Sequence, residues 1–150
     1  MATTITAAGT VLSISAGTPA TMDATGFAAL TYTPIGEVTD AGEGYDREYN
    51  PVEYSPLATR RVQVRKGSYS SGTASIAMAR SPSDAGQILL KTASKSDEQY
   101  SFRLTYQDGG IDYFRALVMG TPKQIGTIDN IVMISTDLTL QSDVVEVAAP

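Results

Sequence analysis

The sequence predicts an all-β domain, a sandwich or barrel of about seven strands with one short flanking α-helix. Three observations predict it. Tyr100, Phe102, Leu104 and Tyr106 alternate with Ser101, Arg103 and Thr105, and Asp108-Gly109-Gly110 then turns the chain into Ile111–Met119. Period two puts the two sets on opposite faces of a strand, and the Asp-Gly turn makes the pair a hairpin. Similar runs recur along the chain, while only one stretch carries helix punctuation.

From the start, residues 1–26 are rich in Ala, Thr, Gly and Ser, and only Thr10–Ser15 alternates well enough for a strand. Residues 1–9 are expected to be a flexible arm. A short strand is expected across Ala28–Val38, through Leu30, Tyr32, Ile35 and Val38. Thr39–Leu57 follows, with two Gly, two Pro, three Tyr and five acids (Asp40, Glu43, Asp46, Glu48 and Glu53). It reads as a long loop, and loops of that length in a compact domain are usually functional or disordered. Tyr45, Tyr49 and Tyr54 argue against disorder, because tyrosine offers a large amphipathic contact area and is enriched at interfaces. They pack either on their own domain or on another copy; the scarcity of aliphatic neighbours favours the second.

Arg61–Lys66 alternates through Val62 and Val64. Ser70–Arg80 places Gly72, Ala74, Ile76 and Met78 on one face. Ser81-Pro82-Ser83-Asp84 then supplies an N-cap, a proline at the first helical position and an early acid. Ala85, Ile88, Leu89 and Ala93 recur at helical spacing, so a helix is expected over Pro82–Ala93 with one narrow apolar stripe. In Asp129–Leu140, Ile131–Ile134 is apolar on both faces, which implies a strand covered on both sides or a bulge. Residues 144–150 read as a tail. All 150 residues make one domain.

Composition removes several chemistries. The chain has no Cys and no His, so it lacks the ligands of ordinary zinc or copper sites, a Cys-His pair and a Ser-His-Asp triad. No phosphate-binding glycine loop or nucleophile elbow occurs. The acids of 39–57 do not follow EF-hand spacing, and without Trp they make a poor glycosidase pair. No catalytic residue, metal ligand or cofactor is expected. The first base is Arg47, so no export signal is expected at the start, and no apolar run reaches transmembrane length. The net charge of −5 is opposite in sign to that of most nucleic-acid binders. Charge is also segregated. Residues 1–46 carry five acids and no base, while Arg60, Arg61, Arg65 and Lys66 cluster. Either both are solvated faces, or one copy's acids meet a neighbour's bases.

Five segments, in order, carry a resemblance. They are the run Ile35–Asp46, Ala58-Thr59, the helix Ser83–Leu90, YSFRLTYQDGGIDYFRALV at 100–118 and IGTIDNIVMISTDL at 125–138. Together they resemble the tail tube (major tail) proteins of lambda-like siphophages, over about Thr10–Ser142. The resemblance implies a β-sandwich with a flanking helix. It implies that six copies form a ring whose strands line a continuous inner barrel, and that rings stack around a tape-measure protein. Initiator and terminator proteins bound the tube, and DNA passes through it without specific binding. The 39–57 loop becomes an inter-ring contact using Glu43, Tyr45, Asp46, Arg47, Tyr49 and Tyr54. Arg60, Arg61, Arg65 and Lys66 become subunit-interface cations. Asp137, Thr139, Gln141 and Asp143 are candidates for the lumen wall, where acids would repel a duplex. Such a subunit is assembled in the host bacterial cytoplasm, resides in the virion and binds no membrane itself. A type VI or other contractile-system inner tube protein shares the architecture, and a monomeric β-sandwich binding module is the alternative from another class.

Overall fold

The structure, a computed structural model, describes residues 4–150. Its strands are β1 (Val11–Ser15), β2 (Thr33–Pro34), β3 (Val38–Asp40), β4 (Glu48–Tyr54), β5 (Gln63–Ser70), β6 (Thr73–Ala79), β7 (Tyr100–Thr105), β8 (Ile111–Val118), β9 (Lys123–Gln124), β10 (Met133–Leu140) and β11 (Val145–Val147). Its helices are α1 (Ala24–Ala28) and α2 (Ala85–Ser94). Nine strands form one sheet in the order β2-β1-β7-β8-β10-β6-β3, with β11 added to β8 and β9 to β10. The sheet is curled into a half-barrel. β4 and β5 form a separate two-stranded ribbon.

The alternating runs place the core. Phe102 and Phe114 face each other across the β7–β8 ladder, with rings stacked 5.4 Å apart. Ala74, Ile76 and Met78 of β6, Leu138 of β10 and Leu12 and Ile14 of β1 point to the same side and are buried. Helix α2 closes that side with Leu90 and Ala93. The turn between β7 and β8 is the expected one. Asp108 Oδ1 accepts from Gly110 N at 2.9 Å, and Gly109 takes φ +95°, a conformation that favours glycine.

The expected helix begins later than Pro82. Ser81–Asp84 is a turn, with Asp84 N donating to Ser81 O at 3.1 Å, and Asp84 is the N-cap. The Asp84 carboxylate accepts from Gln87 N and from Gly36 N, each at 3.0 Å, so one side chain starts the helix and ties it to the β2–β3 connection. Buried Gln87 completes the joint. Its amide donates to Gly36 O at 2.9 Å and to Ala79 O at 2.8 Å, and its Oε1 accepts from Ser81 N at 2.9 Å.

Five expectations need correction. The Ala28–Val38 strand is broken into β2 and β3, because α1 occupies its start and Glu37 takes φ +60° between them. A second helix, α1, stacks Phe27 on Tyr113 at 5.5 Å and covers part of the sheet's other face. The β10 strand begins at Met133, not Asp129: Thr127–Asn130 is a turn, and Ile131 is 71% exposed, so the apolar run is not covered on both sides. The 144–150 tail contains β11. At Ser142 the chain steps past Arg115, whose N donates to Ser142 Oγ at 2.9 Å, and Val145–Val147 then pairs with Ile111–Tyr113. The 39–57 loop contains β4, paired with β5 from Glu48↔Ser70 to Tyr54↔Gln63. Of the expected arm, residues 1–3 lie outside the described residues, and 4–9 carry no helix or strand.

Candidate assembly interface

The β4–β5 ribbon is the feature that stands off the domain. Between Asp40 and Thr73 the chain contributes no fully buried core residue. Pro51 sits inside β4 without disrupting a sheet, because the ribbon shifts register between Tyr49 and Pro51 and β4 has only one neighbour. An isolated two-stranded ribbon is marginal in water. Here its base is clamped. Tyr49 and Tyr69 pack at 5.1 Å, the Arg47 guanidinium lies 4.5 Å over the Tyr69 ring, and Lys66 Nζ lies 4.6 Å over Tyr49. Arg47 also donates to Tyr49 Oη at 3.1 Å and forms an ion pair with Asp143. The Tyr49 hydrogen bond first, and the Asp143 charge after it, hold the Arg47 pKa above its ordinary value.

Beyond the clamp the ribbon is apolar and exposed. Val52, Tyr54, Val62 and Val64 are each about half accessible, and Leu57 at the tip is fully so. Full burial of an exposed side chain such as Leu57 stabilises by roughly 1.5–3 kcal/mol, and covering a half-accessible one contributes about half of that. The sequence pattern points to the tyrosines and not to these aliphatics, although Val62 and Val64 alternate as in a strand.

The expected site residues separate. Arg60 and Arg61 lie at the ribbon tip, with Arg60 at φ +58°, and Arg65 and Lys66 lie on β5. Glu43 and Asp46 are exposed beside the ribbon's base. Tyr54 is 47% exposed. For Tyr45 the expectation of an interface anchor is corrected. Its ring packs on Phe114 at 5.4 Å and its hydroxyl donates to Ala41 O, so it belongs to its own core. Desolvation, and then the Asp40 charge, push the Tyr45 pKa up to about 12. A sequence signal for this did exist: Gly42 and Gly44, both at positive φ, fold the chain back toward β6 just before it.

Asp137, Thr139 and Gln141 share the face turned away from the core. Asp137 is exposed and accepts from Ser75 Oγ at 2.6 Å on the neighbouring β6. Around them that face carries small side chains, Thr73, Ser75, Ala77 and Ser135. Asp143 is not part of this row, since it is engaged with Arg47 at the ribbon base. Among the described residues, no group of His, Cys, Asp or Glu is arranged to hold a metal ion, and no helix is long and apolar enough to cross a membrane.

The open features of this domain are thus a protruding apolar ribbon, a polar sheet face and sheet edges at β2 and β3. They define a class first: a structural β-domain whose surface is organised for contact. The chain belongs to the lambda phage tail tube protein family, which it matches over residues 20–142. It is a tail tube structural protein of the phage virion. Solved structures agree on the fold. The SPP1 tail tube subunit is 15% identical, with 95% of this chain and 78% of that chain covered and a TM-score of 0.68. A chain of the anti-feeding prophage baseplate is 8% identical, with 99% of each chain covered and a TM-score of 0.69. A chain of the PVC extracellular contractile injection system sheath–tube complex is 13% identical, with 97% and 92% covered and a TM-score of 0.65. No curated protein matches the sequence.

Proposed function

We propose that this chain builds the tail tube by forming hexameric rings that stack into a hollow cylinder, through whose lumen the genome leaves the virion. The β4–β5 ribbon carries the reading. It exposes Val52, Tyr54, Leu57, Val62 and Val64, a surface far more apolar than an isolated ribbon needs. Seating it on the next ring removes that surface from water and stabilises an otherwise marginal pair of strands. Arg60, Arg61, Arg65 and Lys66 then meet a neighbour's acids, with Glu43, Asp46, Arg47 and Tyr49 setting the ribbon's angle at its base. Closing the curled sheets of six copies into one barrel pairs edges that a lone subunit leaves open.

In this arrangement Asp137, Thr139 and Gln141 line the lumen. Their face is small and polar and carries an exposed carboxylate, so it gives DNA phosphates little to bind. The tape-measure protein occupies the lumen before DNA does, initiator and terminator proteins bound the tube, and assembly takes place in the host cytoplasm. The subunit has a structural role and no catalytic one. A contractile-system inner tube is the second reading, favoured by the likeness to chains of the PVC and anti-feeding prophage particles. A sheath protein that cofractionates with the tube would select it.

Negative-stain electron microscopy of the concentrated protein tests the proposal. Hollow tubes of uniform width or six-fold rings are the expected result. A protein that stays monomeric at high concentration, and also in the presence of a tail initiator complex, overturns it.

A further inference from the structure

The β4–β5 ribbon leaves the sheet where Leu140 N meets Gly72 O, at one end of β6 and β10. At the other end of the same two strands, where Arg80 N donates to Val132 O, a cleft of about 260 Å³ opens between α2 and β9. Its floor is apolar, from Met78, Leu90 and Ile134. Its rim is cationic, from Arg80, Lys91, Lys95 and Lys123, and no acid lines it. Among the described residues the only ion pair is Arg47 with Asp143, so none of these four cations has a carboxylate partner.

The sequence between Gln124 and Val132 has a single charge, Asp129. It also holds three isoleucines left in water: Ile125 is 65% exposed, Ile128 99% and Ile131 71%. A turn closed by Asn130 N on Thr127 O, at 3.0 Å, puts Ile128 and Asp129 at its corners. Asp129 makes no hydrogen bond or ion pair among the described residues. An apolar knob beside a free carboxylate is the chemical complement of an apolar floor ringed by cations.

We propose that the α2–β9 cleft of one copy receives the Ile128-Asp129 turn of a second copy. The isoleucine lies on the floor, and the carboxylate sits among Arg80, Lys91, Lys95 and Lys123. Charge selects this occupant over Leu57 and Met22. Leu57 at the ribbon tip is fully exposed, but Arg60 and Arg61 accompany it, and like charges facing each other across an interface are costly. Met22 has Asp23 beside it, but Asp23 is already spent on α1, accepting from Gly26 N at 2.8 Å and from Thr21 Oγ1 at 2.7 Å. Arranged head to tail, turn into cleft, the contact propagates from copy to copy. The proposal rests on the reading that copies of this chain assemble, and it names a contact separate from the ribbon.

The chain has no cysteine, so single-cysteine variants report contacts without background. Thr127→Cys, next to the Ile128-Asp129 pair, and Thr92→Cys, in the lining of the cleft, are both at exposed positions and keep the proposed contact residues; they are prepared separately, one with a mass tag, then mixed at assembling concentration and oxidised. The expected product is the tagged–untagged disulfide dimer, well above what either variant forms alone. Asp129→Lys is expected to slow association by about tenfold, and Lys91→Glu with Lys123→Glu in the same chain is expected to restore it. Tubes visible by electron microscopy without the mixed dimer overturn the cleft contact and leave the tube reading standing. A mixed dimer without tubes, with a tail initiator complex present as well, keeps the contact and removes that reading. Neither dimer nor assembly under the same conditions overturns both.

Discussion

At the scale of single residues, two positions show local preference set against tertiary placement. Gly86 lies in α2, where alanine is intrinsically better by about 1 kcal/mol. A Cβ there would meet Pro34 O at 2.2 Å and Ile35 Cα at 2.6 Å, both backbone atoms that do not yield. Overpacking of this kind typically costs about 1–3 kcal/mol, so the clash outweighs the propensity gain. Gly86→Ala is therefore expected to lower the thermal midpoint by several degrees, measured by circular dichroism. A rise would mean that the β2–β3 connection yields to the new Cβ at less cost than the helix-propensity gain. Tyr45 sets an alkaline limit. Its folded pKa is about 12 against an ordinary value of 10. The folded state therefore holds the proton where the unfolded state has lost it, and stability is complete below pH 10 and falls as pH rises toward 12 and beyond. A rise of that size corresponds to roughly 2–3 kcal/mol. Tyr106, pushed up by burial and then by its bond to Asp112, adds in the same direction. In urea titrations between pH 9 and 12, Tyr45→Phe is expected to flatten the decline. An unchanged slope would show that Tyr45 does not carry it.

At the scale of elements, the strands legible in sequence were those with one apolar and one polar face. Phe102 and Leu104 alternate with polar neighbours because one side of β7 packs into the apolar core, while buried Ser101, and Arg103 against the Tyr32 ring, serve the side that α1 partly covers. Elements set by contacts distant in sequence were not legible. β11 exists because Ser142 receives the Arg115 N–H, and α1 because Phe27 finds Tyr113. β4 was hidden by its composition: Glu48, Asn50, Pro51 and Glu53 read as loop, and its partner Gln63–Ser70 lies across an intervening turn region. The ribbon's independence from the core makes a sharp prediction. Glu48 and Ser70 are already paired, so replacing residues 49–69 with an Asn-Gly turn joins neighbouring ends without strain. The shortened protein is expected to stay folded, with a thermal midpoint within a few degrees of the parent, and to form no tubes. Loss of the fold would show that Tyr49, Tyr69 and Arg47 support the domain itself. Tubes of normal width would remove the ribbon from assembly.

For the whole molecule, the segregation of charge was plain in the sequence, but its placement depended on the fold. Residues 48–70 carry four bases against two acids, a net +2; the whole chain carries −5, so the remainder carries −7. Two forces therefore act when copies meet: attraction between ribbon and body at contact, and repulsion between net-negative subunits at longer range. The screening length decides which dominates. At roughly 0.01 M salt it is about 30 Å, comparable to a small domain, so the repulsion is felt before contact. At roughly 0.15 M it is about 8 Å, and only facing groups interact. Tube growth followed by light scattering is thus expected to accelerate between these two conditions. At about 1 M the length falls to about 3 Å and the contact charges are screened as well. Burial of Val52, Tyr54, Leu57, Val62 and Val64 does not depend on charge, so preformed tubes are expected to survive that concentration. Growth that slows steadily from the lowest salt upward would mean that the ribbon's cations, rather than the net charge of the subunits, govern the approach. Tubes that dissolve at about 1 M would place the holding energy in ion pairs instead of the apolar ribbon.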